Sequence, residues 1–145
     1  MQTIYEYAHE GFIVSTDKSR LQFDVICRYL SEQSYWAEGR TPEVVRTSID
    51  NSLCYGAYIG SDQVGFARVV TDYATFAWIC DVFVLESARG RGIGKRMVED
   101  IVFHPQLINL RRMMLATRDA HMLYRNYAGF QPLAAPDNIL ERRRS

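Results

Sequence analysis

The chain has 145 residues, the length of a single domain, and its 17 basic residues balance its 17 acidic ones. Apolar residues make up 48% and charged residues 23%, which is typical of a globular chain and not of a disordered or membrane-embedded one. With no net charge, the chain has no general attraction for nucleic acid or a membrane surface, so neither partner is expected.

The cysteines and the N-terminal segment indicate the cellular compartment of the protein. Cys27, Cys54 and Cys80 lie inside apolar runs and not at the spacing of metal ligands, and their odd number suits a reducing compartment. The N-terminus has no basic region followed by an apolar one, and no apolar stretch reaches the roughly 18 residues that span a bilayer. We therefore expect a cytoplasmic protein without a metal.

The first third of the chain predicts one strand and two helices. A short strand is predicted at Phe12–Ser15, and apolar residues at helical spacing predict a helix over 21–31. Residues 33–40 break this pattern. Thr41 followed by Pro42 is the combination that begins a helix, with threonine as the N-cap and proline in the first turn.

The middle of the chain predicts a hairpin, a central strand and a long helix. The β-rich runs 54–59 and 64–70 are separated by a short turn-forming segment. Residues 78–85 are almost continuously apolar, which predicts a strand buried on both faces. A helix is predicted from residue 93 until Pro105 stops it.

The last third predicts further alternation of strand and helix. A strand is predicted at 112–117, a short helix at 120–127, another strand at 130–133 and a weak one at 139–142. No linker or repeat interrupts the pattern, so residues 1–145 are predicted to form one mixed α/β domain.

The most informative segment runs from Asp81 to Lys95, where the buried strand enters a glycine-rich loop that opens a helix. The first amides of a helix have no partner within it and lie at the positive end of its dipole, so they bind phosphate well. Glycine lets the backbone approach closely, and Arg89 and Arg91 add positive charge. A phosphorylated cofactor is therefore expected at this loop.

The glycine spacing separates this loop from two common phosphate-binding loops. Gly90, Gly92 and Gly94 do not fit the G-x-G-x-x-G pattern of dinucleotide sites. A nucleotide P-loop would need glycine where Arg89 stands and a hydroxyl where Arg96 stands. The pattern Arg89-x-x-Gly92-x-Gly94 after a buried strand instead resembles the acyl-coenzyme A signature of the GNAT-type N-acetyltransferase superfamily.

A second motif extends the resemblance. Ala120-x-x-Leu123-Tyr124, followed by Gly129-Phe130, is similar to the second half-site of that superfamily, and the order of elements matches over nearly the whole chain. The resemblance implies an α+β fold with a mixed, mostly antiparallel sheet and helices on both faces. It also implies transfer of the acetyl group of acetyl-CoA directly to a primary amine of a small molecule or peptide.

The resemblance assigns cofactor contacts to two parts of the chain. The family's fourth and fifth strands splay apart, and the pantetheine of the cofactor bonds to backbone that corresponds to Val82, Phe83 and Val84. Thr117 stands where the family usually has asparagine, so a hydroxyl replaces that contact or the contact is lost. The pyrophosphate contacts map to the main chain of Arg89, Gly90, Arg91, Gly92, Ile93, Gly94 and Lys95.

Two proton transfers need a candidate residue each. Tyr124 matches the family's tyrosine that protonates the departing thiolate, but one extra residue precedes Gly129, so Tyr127 is an alternative. The amine must also lose a proton, to a carboxylate or to a chain of waters. Asp81, the only acid in the central strand, is either this base or a residue paired in the core. His121 is either a relay or a surface residue.

The acceptor is expected to lie against the irregular segment 33–40. Tyr35 and Trp36 either form a wall of the acceptor site or pack the segment onto the core. Glu38 and Arg40 would suit the ammonium and carboxylate of a small zwitterionic amine. An alternative function is a non-catalytic acyl-CoA sensor or interaction module of the same fold, and a homodimer stays open.

Overall fold

The structure, a computed structural model of the chain, describes residues 3–144, so Met1, Gln2 and Ser145 of the predicted domain lie outside the described residues. Its centre is a six-stranded sheet in which neighbouring strands follow one another in chain order. Every neighbouring pair is antiparallel except the last, which is parallel. The strands are β1 (Glu6–His9), β2 (Phe12–Ser15), β3 (Leu53–Ile59), β4 (Asp62–Thr71), β5 (Phe76–Val84) and β6 (Arg112–Leu115).

The helices cover both faces of this sheet. They are α1 (Phe23–Arg28), continued by a π-helical turn (Tyr29–Gln33), α2 (Pro42–Asp50), α3 (Ile93–Val102) and α4 (His121–Ala128). One face packs against α3, whose Ile93, Met97 and Ile101 are buried at helical spacing. The other face packs against α1 and α2 through a second apolar cluster. The predicted fold class, a mixed and mostly antiparallel sheet between helices, is confirmed.

Helix α2 begins with an N-cap formed by its neighbouring residues. The side chain of Thr41 accepts a hydrogen bond from the amide of Val44, and Pro42 occupies the first turn. This satisfies one of the amides that a helix start leaves without a partner. The predicted N-cap is therefore confirmed, and it ends the irregular segment 33–40 at a defined position.

A β-bulge interrupts β5. Asp81 and Val82 together stand opposite Ala67 of β4, and Asp81 has a φ of 52°. The extra residue reverses the alternation of side chains, so Ile79 packs on the α3 side and Phe83 on the opposite side. The strand was predicted to be buried on both faces, and none of its residues is exposed: buried and half-buried residues alternate along it, with Ile79 buried on one face and Phe83 on the other.

The parallel pair β5 and β6 separates part-way along β5. Their register runs from Phe76 opposite Arg112 to Ile79 opposite Leu115, whereas β5 itself continues to Val84. Beyond Ile79, β5 therefore has a strand neighbour on the β4 side alone within the described part of the chain. A splayed pair of this kind leaves backbone groups free to bind an extended ligand.

Three strand assignments differ from the prediction. The strands predicted at 130–133 and 139–142 are wrong, because this segment runs as coil, exposed after Phe130, with one 3₁₀ turn at Pro136–Asn138. Pro132 and Pro136 lack the amide that a sheet ladder needs. Strand β1 was not predicted, because Glu6–His9 has little apolar alternation and forms by hairpin pairing with β2. Over residues 3–144, no helix combines the length and apolar character needed to cross a membrane.

Candidate active site

A cleft of about 690 Å³ opens where β5 and β6 part. Its walls come from six parts of the chain, namely the segment 33–40, β4, β5, the turn between β6 and α4, α4 itself and the C-terminal segment. Trp78 and Val82 of β5 both line it and are half-buried. A concave site at the end of a splayed sheet is where a ligand would be expected.

Asp81 lies in this cleft and is fully paired. The Trp36 indole N–H donates to Oδ1 at 2.9 Å, while Arg40 Nη1 and Arg68 Nε both donate to Oδ2 at 2.8 Å. The carboxylate side chain is only 1% exposed. The structure thus brings Trp36, Arg40 and Asp81 together, and it adds Arg68, which the sequence analysis missed because nothing local marks an arginine in a β-strand.

The pairing determines the protonation state of Asp81. Burial raises its pKa, but the hydrogen bonds and charges of Arg68 and Arg40 outweigh burial and leave the pKa below its ordinary value. A carboxylate with a lowered pKa and two occupied oxygens is a poor acceptor for the proton of an ammonium group. Of the two predicted roles, the geometry favours the paired one, and the role as a base stays a prediction.

Removing this charge has an expected effect on stability. Asp81→Asn should lower the free energy of unfolding by about 3 kcal/mol near neutral pH, because Arg40 and Arg68 lose a buried counter-charge. The pKa of Asp81 is lower in the folded state than in the unfolded state. The carboxylate therefore stabilises the fold fully at pH values above the unfolded-state pKa, and this stabilisation is lost as the pH falls through the folded-state pKa. Urea unfolding, measured at neutral pH and at progressively lower pH, should show the difference in free energy of unfolding between wild type and variant becoming smaller.

Asp137→Asn is the matched control for this substitution, because it removes an exposed acid from the C-terminal 3₁₀ turn. The control should unfold like the wild type at every pH. If Asp81→Asn also unfolds like the wild type at neutral pH, the pairing has no net stabilising effect.

Tyr35 closes one side of the cleft by bridging to the opposite wall. Its hydroxyl accepts a hydrogen bond from the Arg118 amide at 2.9 Å, and the Arg118 guanidinium lies 3.7 Å from the centroid of its ring. The ring also packs edge-on against Trp36. Three of the four predicted acceptor residues therefore line the cleft, whereas Glu38 is exposed and lies outside it.

Tyr124 lies in the same cleft and is buried. Burial, with Tyr35 and Asp119 nearby, raises the pKa of Tyr124 to about 12. A phenol with this pKa keeps its proton at neutral pH and can donate it.

The end of α4 shows where the extra residue before Gly129 is accommodated. The amides of Gly129 and Phe130 both donate to the Tyr124 carbonyl, and Gly129 has a φ of 74°. The last turn is therefore wider than usual, as expected if the extra residue is absorbed after Tyr124; that Tyr124 is the family's tyrosine stays a prediction. Tyr127 is 46% exposed with Lys95 Nζ over its ring, so the structure has the arrangement in which Tyr127 is peripheral.

The glycine loop leads into α3, and its two glycines have positive φ angles and open surroundings. Gly90 and Gly92 have φ values of 84° and 77°, and a Cβ added at either would meet no atom within 4 Å. The Arg96 amide is the first to bond within the helix, donating to the Gly92 carbonyl at 3.0 Å. The preceding amides of the first turn therefore have no carbonyl partner within the helix. They belong to Ile93, Gly94 and Lys95.

Arg89 holds this loop in place. Its Nε donates to the Val84 carbonyl at 3.1 Å, and its Nη2 donates to the Tyr29 hydroxyl at 3.0 Å. Tyr29 in turn stacks on Phe83 with 4.0 Å between ring centroids. The Arg89 side chain thus fastens the loop to the end of β5, which agrees with an expectation that main-chain groups, more than side chains, contact the cofactor.

Thr117 and His121 occupy different surroundings. Thr117 lines the cleft, and its hydroxyl accepts the Ala120 amide at 3.0 Å, which shapes the turn before α4. The hydroxyl hydrogen still has to find an acceptor, so Thr117 can donate to a ligand. His121 is exposed and lies outside the cleft lining.

Cys80 also lines the cleft. Burial raises its pKa to about 11 and the pKa of Cys54 to about 12, so both thiols are protonated at neutral pH. A protonated thiol is a poor nucleophile, which favours direct transfer over an acyl-cysteine intermediate. Within residues 3–144, no three His, Cys, Asp or Glu side chains gather as metal ligands would.

Comparison with known proteins decides the family. The model of the Acetyltransferase (GNAT) family matches residues 23–130, which includes the glycine loop and α4. The chain belongs to the GNAT acetyltransferase family. The family prediction made from the glycine loop and the second half-site is confirmed, and acyltransferase activity follows from it.

Relatives of this GNAT chain cover most of its length. A candidate acetyltransferase of Gibberella zeae is 30% identical over 142 residues, covering 83% of this chain and 79% of that protein. The crystal structure of a candidate GNAT acetyltransferase from Xanthomonas campestris pv. campestris is 44% identical, with a TM-score of 0.87 over 99% of this chain and 94% of that one. This likeness extends beyond the fold to much of the sequence.

A more distant structure was determined with acetyl-CoA. This candidate acetyltransferase from Clostridium acetobutylicum is 18% identical, with a TM-score of 0.63 over 99% of this chain and 96% of that one. At that identity, the likeness shows that the GNAT fold is shared.

Proposed function

We propose that this GNAT protein is an N-acetyltransferase that transfers the acetyl group of acetyl-CoA directly to a primary amine of a small molecule or peptide. One arrangement carries the proposal. A single cleft holds the unpaired edge of β5 and the buried Tyr124 hydroxyl, and the glycine loop follows directly from the end of that strand. These are the parts that a thioester cofactor and its leaving group need.

The residues present fit acetyl-CoA. Val82, Phe83 and Val84 lie where β5 has a strand neighbour on the β4 side alone, so the pantetheine arm would bind there as an added strand. The Val84 carbonyl already accepts a hydrogen bond from Arg89 Nε, so the other backbone groups of that edge would make the contacts. The amides at the start of α3 would hold the pyrophosphate, and the open space beside Gly92 leaves room for it. When bound, acetyl-CoA supplies an activated acetyl thioester. The acetyl-CoA in the Clostridium acetobutylicum relative supports this proposal.

The transfer requires the movement of two protons. An alkyl ammonium has a pKa near 10.4 and must lose a proton before it can attack a carbonyl. Because two guanidiniums hold Asp81, we infer that water in the open cleft takes this proton. Tyr124 then donates its proton to the departing thiolate, since the phenol is protonated at neutral pH and its hydroxyl lies in the cleft.

Trp36 is placed to influence which amine is used. It lines the cleft, is 38% exposed and donates to Asp81. Trp36→Ala should lower kcat/KM for the acceptor roughly tenfold, because a wall of the acceptor site is lost. Calorimetric titration should show that the affinity for acetyl-CoA barely changes.

Trp36→Phe is the matched variant, because it keeps an aromatic wall and removes the hydrogen bond to Asp81. If both variants lower the melting temperature but leave the acceptor constants unchanged, Trp36 is a packing residue and not part of the acceptor site.

The direct test of the proposed function is turnover. The protein is incubated with acetyl-CoA and a panel of amines, peptides and polyamines, while free thiol is followed and the acetylated amine is identified by mass spectrometry. We expect thiol release that depends on the amine. If acetyl-CoA binds but no amine releases thiol, the protein is an acyl-CoA-binding module instead.

A further inference from the structure

The floor of the cleft carries an uncompensated positive charge. Arg40 and Arg68 both donate to the same oxygen of Asp81, so two guanidiniums share one carboxylate. Both arginine side chains are largely buried, at 21% and 15% exposed. The other polar partner of Arg68 is the Ser52 hydroxyl, which is neutral. A buried cation without a counter-ion is unfavourable, so this floor is suited to bind an anion.

The excess of positive charge is confined to this floor. Elsewhere on the cleft lining, Arg118 and Asp119 are adjacent in the chain, and both are exposed. The exposed Arg143 pairs with Glu141, with 3.1 Å between Nε and Oε1. These charges balance locally, as the acidic and basic residues of the whole chain do. The positive charge is therefore a property of the floor at Arg40 and Arg68 and not of the whole protein.

We propose that the acceptor amine carries a carboxylate, which binds to Arg40 and Arg68 on the cleft floor beside Asp81. This inference rests on the proposed function, since it names the acceptor of the same site. A guanidinium has five N–H donors in a planar fork, and Arg40 uses one nitrogen on Asp81, so donors remain for a second carboxylate. One negative charge balances the excess at Asp81, which favours a monoanionic carboxylate over a doubly charged phosphate.

The proposal is tested with pairs of acceptors that differ in the carboxylate alone. α-Amino acids, β-alanine and 4-aminobutyrate are each compared with the corresponding carboxamide in the thiol-release assay. The acid of a matching length should have a kcat/KM about 10- to 100-fold above its amide, because charge-assisted hydrogen bonds are lost in the amide. The amine of an α-amino amide is less basic than that of its acid, so ease of deprotonation favours the amide and cannot produce this preference.

Arg40 variants locate the carboxylate. Arg40→Gln should bring the ratio of kcat/KM for the acid to kcat/KM for its amide close to one, mainly by raising the KM of the acid. Arg40→Lys should restore part of the preference for the acid. Asp81 keeps Arg68 and Trp36 as partners in both variants, which protects the fold. Arg28→Gln, which removes an exposed arginine of α1 outside the cleft, is the matched control and should keep the wild-type ratio.

Three outcomes would overturn the proposal. The first is a wild-type enzyme that acetylates amines without preferring any acid to its amide. The second is an Arg40→Gln variant that loses turnover with acids and amides to the same extent, which would place the charge in the reaction and not in recognition. The third is an Arg40→Gln variant that is as stable as the control and keeps the wild-type ratio.

Failure of the proposed function can be distinguished from failure of the carboxylate proposal, since no amine would then be turned over. In that case, calorimetric titration of each acid and amide into protein saturated with coenzyme A decides the matter. Binding of an acid without its amide would retain the carboxylate site, and equal or absent binding of both would remove it.

Discussion

Replacing Tyr124 by phenylalanine is expected to lower the turnover number about 10²–10⁴-fold, the usual effect of losing a positioned general acid. The variant keeps the ring that packs against Phe130 and loses only the hydroxyl in the cleft. Acetyl-CoA affinity, measured by calorimetry, should stay at the wild-type value. In the wild type, the pKa of about 12 keeps Tyr124 protonated, so its ionisation should not lower turnover until strongly alkaline pH.

Tyr127→Phe is the matched control, because Tyr127 lies three residues further along α4 on its exposed side. It should change turnover little. The reverse ranking would move the acid to Tyr127 and would mean that the last turn of α4 rearranges when acetyl-CoA binds. Near-full activity in both variants would indicate that solvent protonates the thiolate.

Replacing Gly92 by aspartate is expected to weaken acetyl-CoA binding by about a hundredfold or more. Two or more charge-assisted hydrogen bonds to the pyrophosphate would be lost, and each contributes about 1.5–3 kcal/mol. The new Cβ would enter the open space in front of α3, and the carboxylate would repel the phosphates there. Calorimetric titration with acetyl-CoA measures the loss directly.

The control for Gly92→Asp must reproduce its backbone strain elsewhere. Gly11, in the turn between β1 and β2, also has a positive φ, 87°, and equally open surroundings. Gly11→Asp should therefore introduce similar strain and the same charge while keeping full affinity for acetyl-CoA. If Gly92→Asp binds acetyl-CoA as tightly as the wild type, the cofactor does not lie at this loop.

Several elements of the site could be predicted because their causes are local. Thr41 caps α2 through a hydrogen bond to an amide three residues away, and α3 follows the helical spacing of its apolar residues. The glycine loop is also local, since positive φ at Gly90 and Gly92 is a property that glycine brings with it. The acyl-CoA signature and the family could be inferred from such short-range patterns.

Other elements could not be predicted, because they depend on partners distant in the chain. Strand β1 exists because it pairs with β2, and the segment after Phe130 stays coil, where a sequence pattern alone had favoured strands. The bulge at Asp81 arises from the register between β4 and β5, which no run of residues in either strand specifies.

The sequence by itself determined the family, the fold class and the loop proposed to hold acetyl-CoA, because capping, helical spacing and glycine backbone chemistry act over a few residues. Only the tertiary structure decided what surrounds Asp81. Arg40 and Arg68 come from segments 41 and 13 residues away, and the bulge turns the carboxylate towards them. Since the charge of a cleft depends on which distant side chains meet there, the excess of positive charge at its floor emerged from the structure alone.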